Sequence, residues 1–411
     1  MPSGTDPDEL RRARAVLIWM CVLICVNQLG FGGIVPAMPL YADTFGVTST
    51  AIGAAVAIYG LARVVIAMPT GQCSDRLGRR PTLAIGGLVS ALGNLWCAEA
   101  DSFTTFMVAR FVAGAGAGLV LTAGQIVIAD ISAPPYRARM MAVYQGVFLF
   151  SVGLGPFPGG WLADHYGLAA PFYAYTVMAV VVGLLAWFFV PETRGFKAAD
   201  RELQTSGSRP SVPFMTQIRL LGSNLGFTLA ALVSFVNAFT RTGGLFALVP
   251  LYGAAVLALN TTEIGFVMAF GSVAGMLVVY PAGAIADRHG RKFVIVPMTF
   301  LTAVAYVLFS YAPTYAWFVA AGLAWGVAAA ASGSTPAAYA ADRAPPGMNA
   351  AAMSLFRMLG DMGYVVGPLM LGFIADLTST NSAFLFGALM LAATGLLFGM
   401  LAPESRPGHD R

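Results

Sequence analysis

Pro69-Thr70-Gly71-Gln72-Cys73-Ser74-Asp75-Arg76-Leu77-Gly78-Arg79-Arg80 returns 212 positions later as Pro281-Ala282-Gly283-Ala284-Ile285-Ala286-Asp287-Arg288-His289-Gly290-Arg291-Lys292. The same shift lays Ala129-Asp130 on Ala341-Asp342, Gly155-Pro156 on Gly367-Pro368, and Ala163-Asp164 on Ala375-Asp376. It also lays Pro191-Glu192-Thr193-Arg194 on Pro403-Glu404-Ser405-Arg406. One register kept without a gap across separate landmarks makes the chain two copies of one module. Fused copies are a recurring way to build a pathway between two halves.

Apolar residues make up 58% of the 411 positions and charged residues 10%, against roughly 25% charged in soluble domains. The charges cluster and leave long stretches almost free of them, which excludes a water-soluble globule and points to a polytopic membrane protein. Cys21 and Cys25 lie one turn apart in the first apolar segment, with Cys73 and Cys97 flanking another. They read as small buried apolar residues rather than a disulfide framework. His165, His289 and His409 are isolated, so neither a metal nor another cofactor is expected, and nothing calls for a nucleic-acid partner. The apolar run after Arg11, Arg12 and Arg14 is too long for a signal-peptide core and reads as a retained first span.

Breaking the chain at charge and turn clusters gives twelve apolar segments, near 15–41, 48–71, 81–99, 104–129, 140–161 and 168–190, then 223–252, 261–285, 292–311, 314–341, 349–373 and 382–402. Each is about as long as a spanning helix needs. The expected organisation is a six-helix bundle over 1–190, a hydrophilic linker over 191–222 carrying Arg194, Lys197, Arg201, Arg209 and Arg219, and a second six-helix bundle over 223–411. The fold class is all-α: two pseudo-symmetric bundles in the membrane.

Basic residues fall on one side: Arg11, Arg12 and Arg14; Arg76, Arg79 and Arg80; Arg137 and Arg139; the linker set; Arg288, Arg291 and Lys292; Arg343; Arg406 and Arg411. The opposite loops carry Asp43, Glu99, Asp101, Asp164, His165, Glu263 and Asp376, with no Lys or Arg. This asymmetry places both termini and the linker in the cytoplasm. An even number of spans per copy makes the halves parallel repeats about an axis along the membrane normal. The expected location is a plasma membrane, the inner membrane if the source is bacterial.

In the loop after span 2, Gly71 and Gly78 would allow close helix approach and a tight turn, and Asp75 would accept from the first amides of the next helix. Arg76 and Arg79 can pair with Asp75, Asp130 or lipid phosphates, and in the second copy Gly283, Asp287, Arg288, Gly290, Arg291 and Asp342 repeat the set. Orientation alone would explain the arginines. Retention of the acids beside the bases favours a conformational latch.

This loop, in both copies, resembles the G-x-x-x-D-R-x-G-R-[RK] motif of the major facilitator superfamily, and the resemblance covers essentially the whole chain. Ser151-Val152-Gly153-Leu154-Gly155-Pro156-Phe157-Pro158-Gly159-Gly160 is similar to the G-x-x-x-G-P-x-x-G-G motif of that superfamily's drug:proton antiporter branch. Span 11 echoes it through Gly363, Gly367, Pro368 and Gly372, and Gly30 to Pro39 resembles the same branch. Glycines spaced by four let backbones touch and the prolines bend the helix, so close packing with no bearing on direction is the alternative to efflux. The resemblance implies a secondary transporter working by alternating access.

Four arginines lie within spans: Arg63, Arg110, Arg241 and Arg357. Each costs about 2.5–3.5 kcal/mol near the bilayer centre, so each needs a partner or a wet cavity. Arg110-Phe111-Val112-Ala113-Gly114 resembles the superfamily's R-x-x-x-G motif, whose arginine is linked to proton transfer in such antiporters. An ion pair to Glu99 or Asp101 is the other reading. Asp361 is the one carboxylate deep in a span and shares a helix face with Arg357. Either the two form a static pair, or Asp361 exchanges Arg357 for a proton or substrate, moving the arginine being what switches its proton affinity. Vesicular amine transporters resemble this chain at that aspartate, but they place another acid where Asn27 stands here. The expected reading is proton-coupled export of a small organic compound, with Asp361 as coupling acid and Arg357 and Arg110 as modulators. Arg63, Arg241, Asn27, Gln28, Tyr59, Gln145, Asn237 and Tyr364 would line the cavity. Uptake or exchange of an organic anion or metabolite is the alternative, favoured by the arginine excess. The partners are then substrate, protons and membrane lipids around a functional monomer. No G-x-S-x-G, H-E-x-x-H or phosphate-cradling loop is present, so no enzyme is expected, and the linker is too short for a sensor's output domain.

Overall fold

The computed structural model describes residues 7–132, 137–194, 214–345 and 348–404. The described residues are helical, without strands, and twelve helices are long and apolar enough to cross a membrane. Spans 1 to 6 are Arg11–Ile34, Ser49–Leu77, Arg79–Ala98, Phe103–Ile131, Arg139–Tyr166 and Ala170–Phe189. Spans 7 to 12 are Leu225–Leu257, Thr261–His289, Lys292–Ser310, Tyr315–Asp342, Ala351–Leu377 and Thr380–Leu401. The chain is therefore an integral membrane protein. Each span falls on one of the twelve apolar segments. Span 2 runs past the expected end at 71 to Leu77 with Pro69 inside it, so the charged residues after Gly71 form the last turns of the helix rather than a loop. Arg63 consequently stands midway between Ser49 and Leu77, about 21 Å of rise from either end.

Expectation and structure differ in two backbones. Span 5 stops at Leu154 and resumes at Pro156, because proline supplies no amide to the preceding turn. Span 7 is an α-helix over Leu225–Thr240, a π-helix over Arg241–Leu248 and an α-helix over Val249–Leu257. The hydroxyl of Tyr306 in span 9 donates to the Thr240 carbonyl and takes the Leu245 amide, so a side chain occupies one rung of the ladder. A helix over Phe214–Ser223 takes up the end of the linker expected over 191–222. The linker positions Lys197, Arg201 and Arg209, and the tail residues Arg406 and Arg411, lie outside the described residues.

The chain forms two compact units. The first holds Met1–Ile34, Ile58–Gly155 and His165–Pro210. Its core is Met20, Leu23, Ile24, Val120, Val127, Ile128 and Val182. Lipid tails are as apolar as leucine, so close backbone approach rather than exclusion of water holds such helices together. A Cβ on Gly93 would lie 2.3 Å from the Ala113 amide, and one on Gly116 2.2 Å from that of Ser90. The second unit holds Val35–Ala57, Pro156–Asp164 and Ser211–Arg411, around Phe227, Ala230, Ile295, Tyr339 and Phe398. Short pieces of spans 2 and 5, at the end of the chain's acidic loops, thus pack with the second copy.

Candidate functional site

At the basic end of the first unit, Gly78 turns the chain with φ 105°, a region glycine enters without strain. Arg79 is buried there. Its Nη1 donates to Asp75 Oδ1 at 2.8 Å and its Nε to Asp130 Oδ2 at 2.9 Å. Thr193 Oγ1 also donates to Asp130 Oδ2, at 3.3 Å. The cap expected of Asp75 is supplied elsewhere: Glu192 Oε1 accepts from Arg79 N at 3.0 Å and its Oε2 from Arg80 N at 3.2 Å. A Cβ on Gly78 would meet Glu192 at 2.3 Å, so this glycine supplies both the turn and the room for the cap.

The second copy repeats the arrangement more loosely. Gly290 has φ 104° and Glu404 Oε1 accepts from Lys292 N at 3.3 Å. Arg291 pairs with Asp287 at 2.7 Å and with Asp342 at 3.4 Å. The Asp130 side chain is 0% exposed and that of Asp342 38%, so the first of these two ion-pair clusters is the one whose second acid is sealed from water. A Cβ on Gly71 or on Gly283 would meet nothing within 4 Å, so the close approach expected of these glycines does not occur. Arg76 and Arg288 are exposed, and the Arg76 carbonyl accepts from Arg194 Nη1 at 3.0 Å.

At the opposite end, the second unit holds two contacts related by the 212-residue shift. The Asp376 carboxylate caps span 2, accepting from Ser49 N at 2.7 Å, Thr50 N at 2.8 Å and Thr50 Oγ1 at 2.5 Å. Its counterpart Asp164 accepts from Thr262 Oγ1 at 3.0 Å. Below them the glycines of the antiporter-type motif and its echo seat against backbone. A Cβ on Gly160 would lie 2.1 Å from Thr261 O, and one on Gly372 2.5 Å from Ser49 O. A Cβ on Gly53 would lie 2.1 Å from Pro368 O, and one on Gly265 2.2 Å from Pro156 O. Gly155 packs instead in the first unit, where a Cβ would lie 2.6 Å from Leu29 O, and Gly367 in the second, where one would lie 2.2 Å from Phe239 O; Gly159 is buried.

The expected cavity residues separate into two groups. In the first unit, spans 1, 2, 3, 4 and 6 bring polar groups together. The Arg110 guanidinium lies 4.5 Å above the Tyr59 ring, which stacks on Phe31 at 5.2 Å. Tyr175 donates to Asn27 Oδ1 at 3.3 Å, and Asn27 Nδ2 to Gln28 Oε1 at 2.8 Å. The Tyr175 hydroxyl also meets Tyr59 and Ser90, and the charges of Arg63 and Arg110 act on both phenols. Arg110 does not pair with Glu99, which accepts from the Tyr173 hydroxyl. In the second unit, Arg241 stands exposed at the head of the π-helix. Thr242 Oγ1 donates to Tyr364 O at 3.1 Å, and Asn237 Nδ2 is buried without a hydrogen-bond partner. Asp361 is half-buried and Arg357 exposed; no ion pair joins them among the described residues. Gln145, the repeat counterpart of Arg357, is likewise exposed.

Glu192, Glu404, Asp164, Asp376, Tyr175 and Tyr306 were not foreseen as functional. The first four were visible as repeat landmarks, which show that a position matters to the module without showing what it bonds. The two tyrosines carry no sequence signal.

A family model for the Major Facilitator Superfamily matches residues 20–358 and 231–411. The chain is 23% identical over 382 residues to an uncharacterised MFS-type transporter of Methanocaldococcus jannaschii, covering 93% of this chain and 96% of that one. It is 25% identical over 225 residues to the multidrug resistance protein MdtL of Salmonella paratyphi B, covering 54% of this chain and 56% of that relative. A crystal structure of the nucleoside transporter NupG has the same fold, with a TM-score of 0.75 at 14% identity over 93% of this chain and 98% of that one.

Proposed function

Because the chain belongs to the major facilitator superfamily, we propose that this membrane transporter couples proton entry to export of a small organic compound from the cytoplasm by alternating access. It works as a monomer in the plasma membrane, the inner membrane of a bacterium, with both termini cytoplasmic. One observation carries the coupling. Asp361 is the one carboxylate placed deep within any of the twelve spans, ten residues or about 15 Å of rise inside Ala351. A carboxylate at that depth needs a partner, a wet cavity or a proton, and under the coupling reading it takes the proton. Arg357, one turn earlier, modulates it, and Arg110 biases the first half. Arg63, Arg241, Asn27, Gln28, Tyr59, Gln145, Asn237 and Tyr364 line the path of the compound. Similarity to MdtL over half the chain and the antiporter-type glycines and prolines support the outward direction.

The experiment uses proteoliposomes with trapped pyranine and a compound selected by thermal shift from a drug and metabolite panel. Adding the compound should drive a proton flux with wild-type protein, and Asp361→Asn should abolish that flux while the thermal shift remains. Unchanged gradient-driven flux in Asp361→Asn would remove Asp361 from coupling. Uptake or exchange of an organic anion is the second reading, favoured by four deep arginines set against one deep carboxylate.

A further inference from the structure

The second copy of the module serves as an internal control for the first. Spans 2 and 4 of the first copy cross where a Cβ on Gly114 would lie 2.5 Å from Tyr59 O and one on Gly118 3.1 Å from the Arg63 Cα. At the same crossing in the second copy, the counterparts of Tyr59, Arg63 and Arg110 are Gly271, Gly275 and Gly322. There the backbones close on one another: a Cβ on Gly271 would lie 2.3 Å from Gly322 O, and one on Gly275 2.3 Å from Gly326 O. Tyr175 corresponds to Gly387 and Asn27 to Phe239. The module therefore packs this crossing without any of these polar groups, and their presence in the first copy is not a requirement of the fold. Two guanidiniums within the spans, one of them buried, are costly to keep there.

The charge balance says what they are for. Away from their ends, the six spans of the first copy contain two arginines, Arg63 and Arg110, and no carboxylate. Around them stand Tyr59 as a cation-π platform, the Tyr175 hydroxyl and the Asn27 and Gln28 amides, and the apolar wall of Phe31. Arg110 is 3% exposed and lies over the ring, whereas Arg63 is half-buried and its charge, like that of Arg110, acts on the Tyr59 and Tyr175 phenols. We infer that Arg63 and Arg110 form a seat for the carboxylate of an organic acid, Arg110 as the fixed anchor and Arg63 as the arm that closes on it. A guanidinium offers paired donors that match a carboxylate. An organic acid also places an apolar body against Phe31, which an inorganic anion cannot. This inference names a substrate class and rests on the transporter reading.

The test is calorimetric titration of the full-length protein in detergent with naphthalene-2-carboxylate and with its uncharged isostere, naphthalene-2-carboxamide. Wild-type protein should bind the carboxylate at least tenfold more tightly. Arg63→Gln and Arg110→Gln should each reduce that preference below threefold, and Arg63→Lys should retain part of it. Should Arg110→Gln fail to fold, the two Arg63 variants decide the matter, since that side chain is half-exposed. Equal affinity for the two probes, binding of neither, or a preference that survives Arg63→Gln would each overturn the seat. The titration involves no gradient, so a failure of proton coupling or of export leaves its result untouched. Equally, an anion-indifferent protein could still export through Asp361.

Discussion

Replacing Asp376 by asparagine should shift the protein toward the form open at the acidic end, and by an amount that the structure sets. The carboxylate makes three charge-assisted bonds to the first residues of span 2, at 2.7, 2.8 and 2.5 Å. Asparagine keeps a single carbonyl acceptor, turns its amide hydrogens toward the Thr50 donors, and removes the charge that the helix N-terminus favours. Hydrogen bonds to a charged group contribute about 1.5–3 kcal/mol each when protected, and the charge–dipole term about 0.3–1 kcal/mol. Asp376 is exposed, so solvent screens most of this and a net loss of about 1–2 kcal/mol is expected. That changes the ratio of open to closed forms by about 5–30-fold. Asp164, with one bond at 3.0 Å, should give a smaller shift on the same substitution, no more than about 1 kcal/mol.

The assay is a pulsed electron spin resonance distance measurement between nitroxides at Thr48 and Thr378, two exposed positions beside the Asp376 contact. The background would lack Cys21, Cys25, Cys73 and Cys97. Asp376→Asn should enlarge the long-distance population, and Asp164→Asn should enlarge it less. If neither substitution changes the ratio by more than twofold, the carboxylates are incidental to the closed form. If Asp164→Asn has the larger effect, the reasoning from bond count is wrong.

Two further outcomes follow from asymmetries between the copies. Arg79→Gln takes the guanidinium away from the fully buried Asp130 carboxylate and should destabilise the purified protein by about 3–5 kcal/mol. Arg291→Gln, beside the partly exposed Asp342, should cost under about 1 kcal/mol; denaturation midpoints of the two variants give the comparison, and equal losses would show that burial does not distinguish the latches. Tyr306→Phe removes the hydroxyl from the span 7 ladder and should lower stability by about 1–3 kcal/mol. Amide hydrogen exchange at Leu245 and its neighbours should quicken, and unchanged protection there would mean that the π-helix does not depend on Tyr306.

Much of this was legible in the chain. The twelve spans were readable because the bilayer demands about twenty apolar residues at a stretch and charges mark where each stretch ends. The pairing of Arg79 with Asp75 and Asp130 was also readable, since an arginine one turn from an acid and near another helix end has few places to go. Other features escaped for identifiable reasons. Glu192 caps the helix that Asp75 was expected to cap, because the choice depends on where the chain returns after span 6. Gly71 resembles a packing glycine, yet nothing packs on it. The π-helix at Arg241 originates in a tyrosine two spans away, and a local pattern contains no trace of so distant a donor.

By itself the sequence determined the duplication, the membrane class, the helix count and which residues are deeply charged, all of which follow from the apolar period and the cost of charge in hydrocarbon. Tertiary structure alone decided which of those residues meet. It set Arg110 over Tyr59 rather than beside Glu99, left Asp361 unpaired with Arg357, and gave Asp376 the amides of span 2. The physical reason is that helices in lipid associate through backbone proximity at small residues. A glycine permits such contact in any direction, and only the assembled bundle selects one.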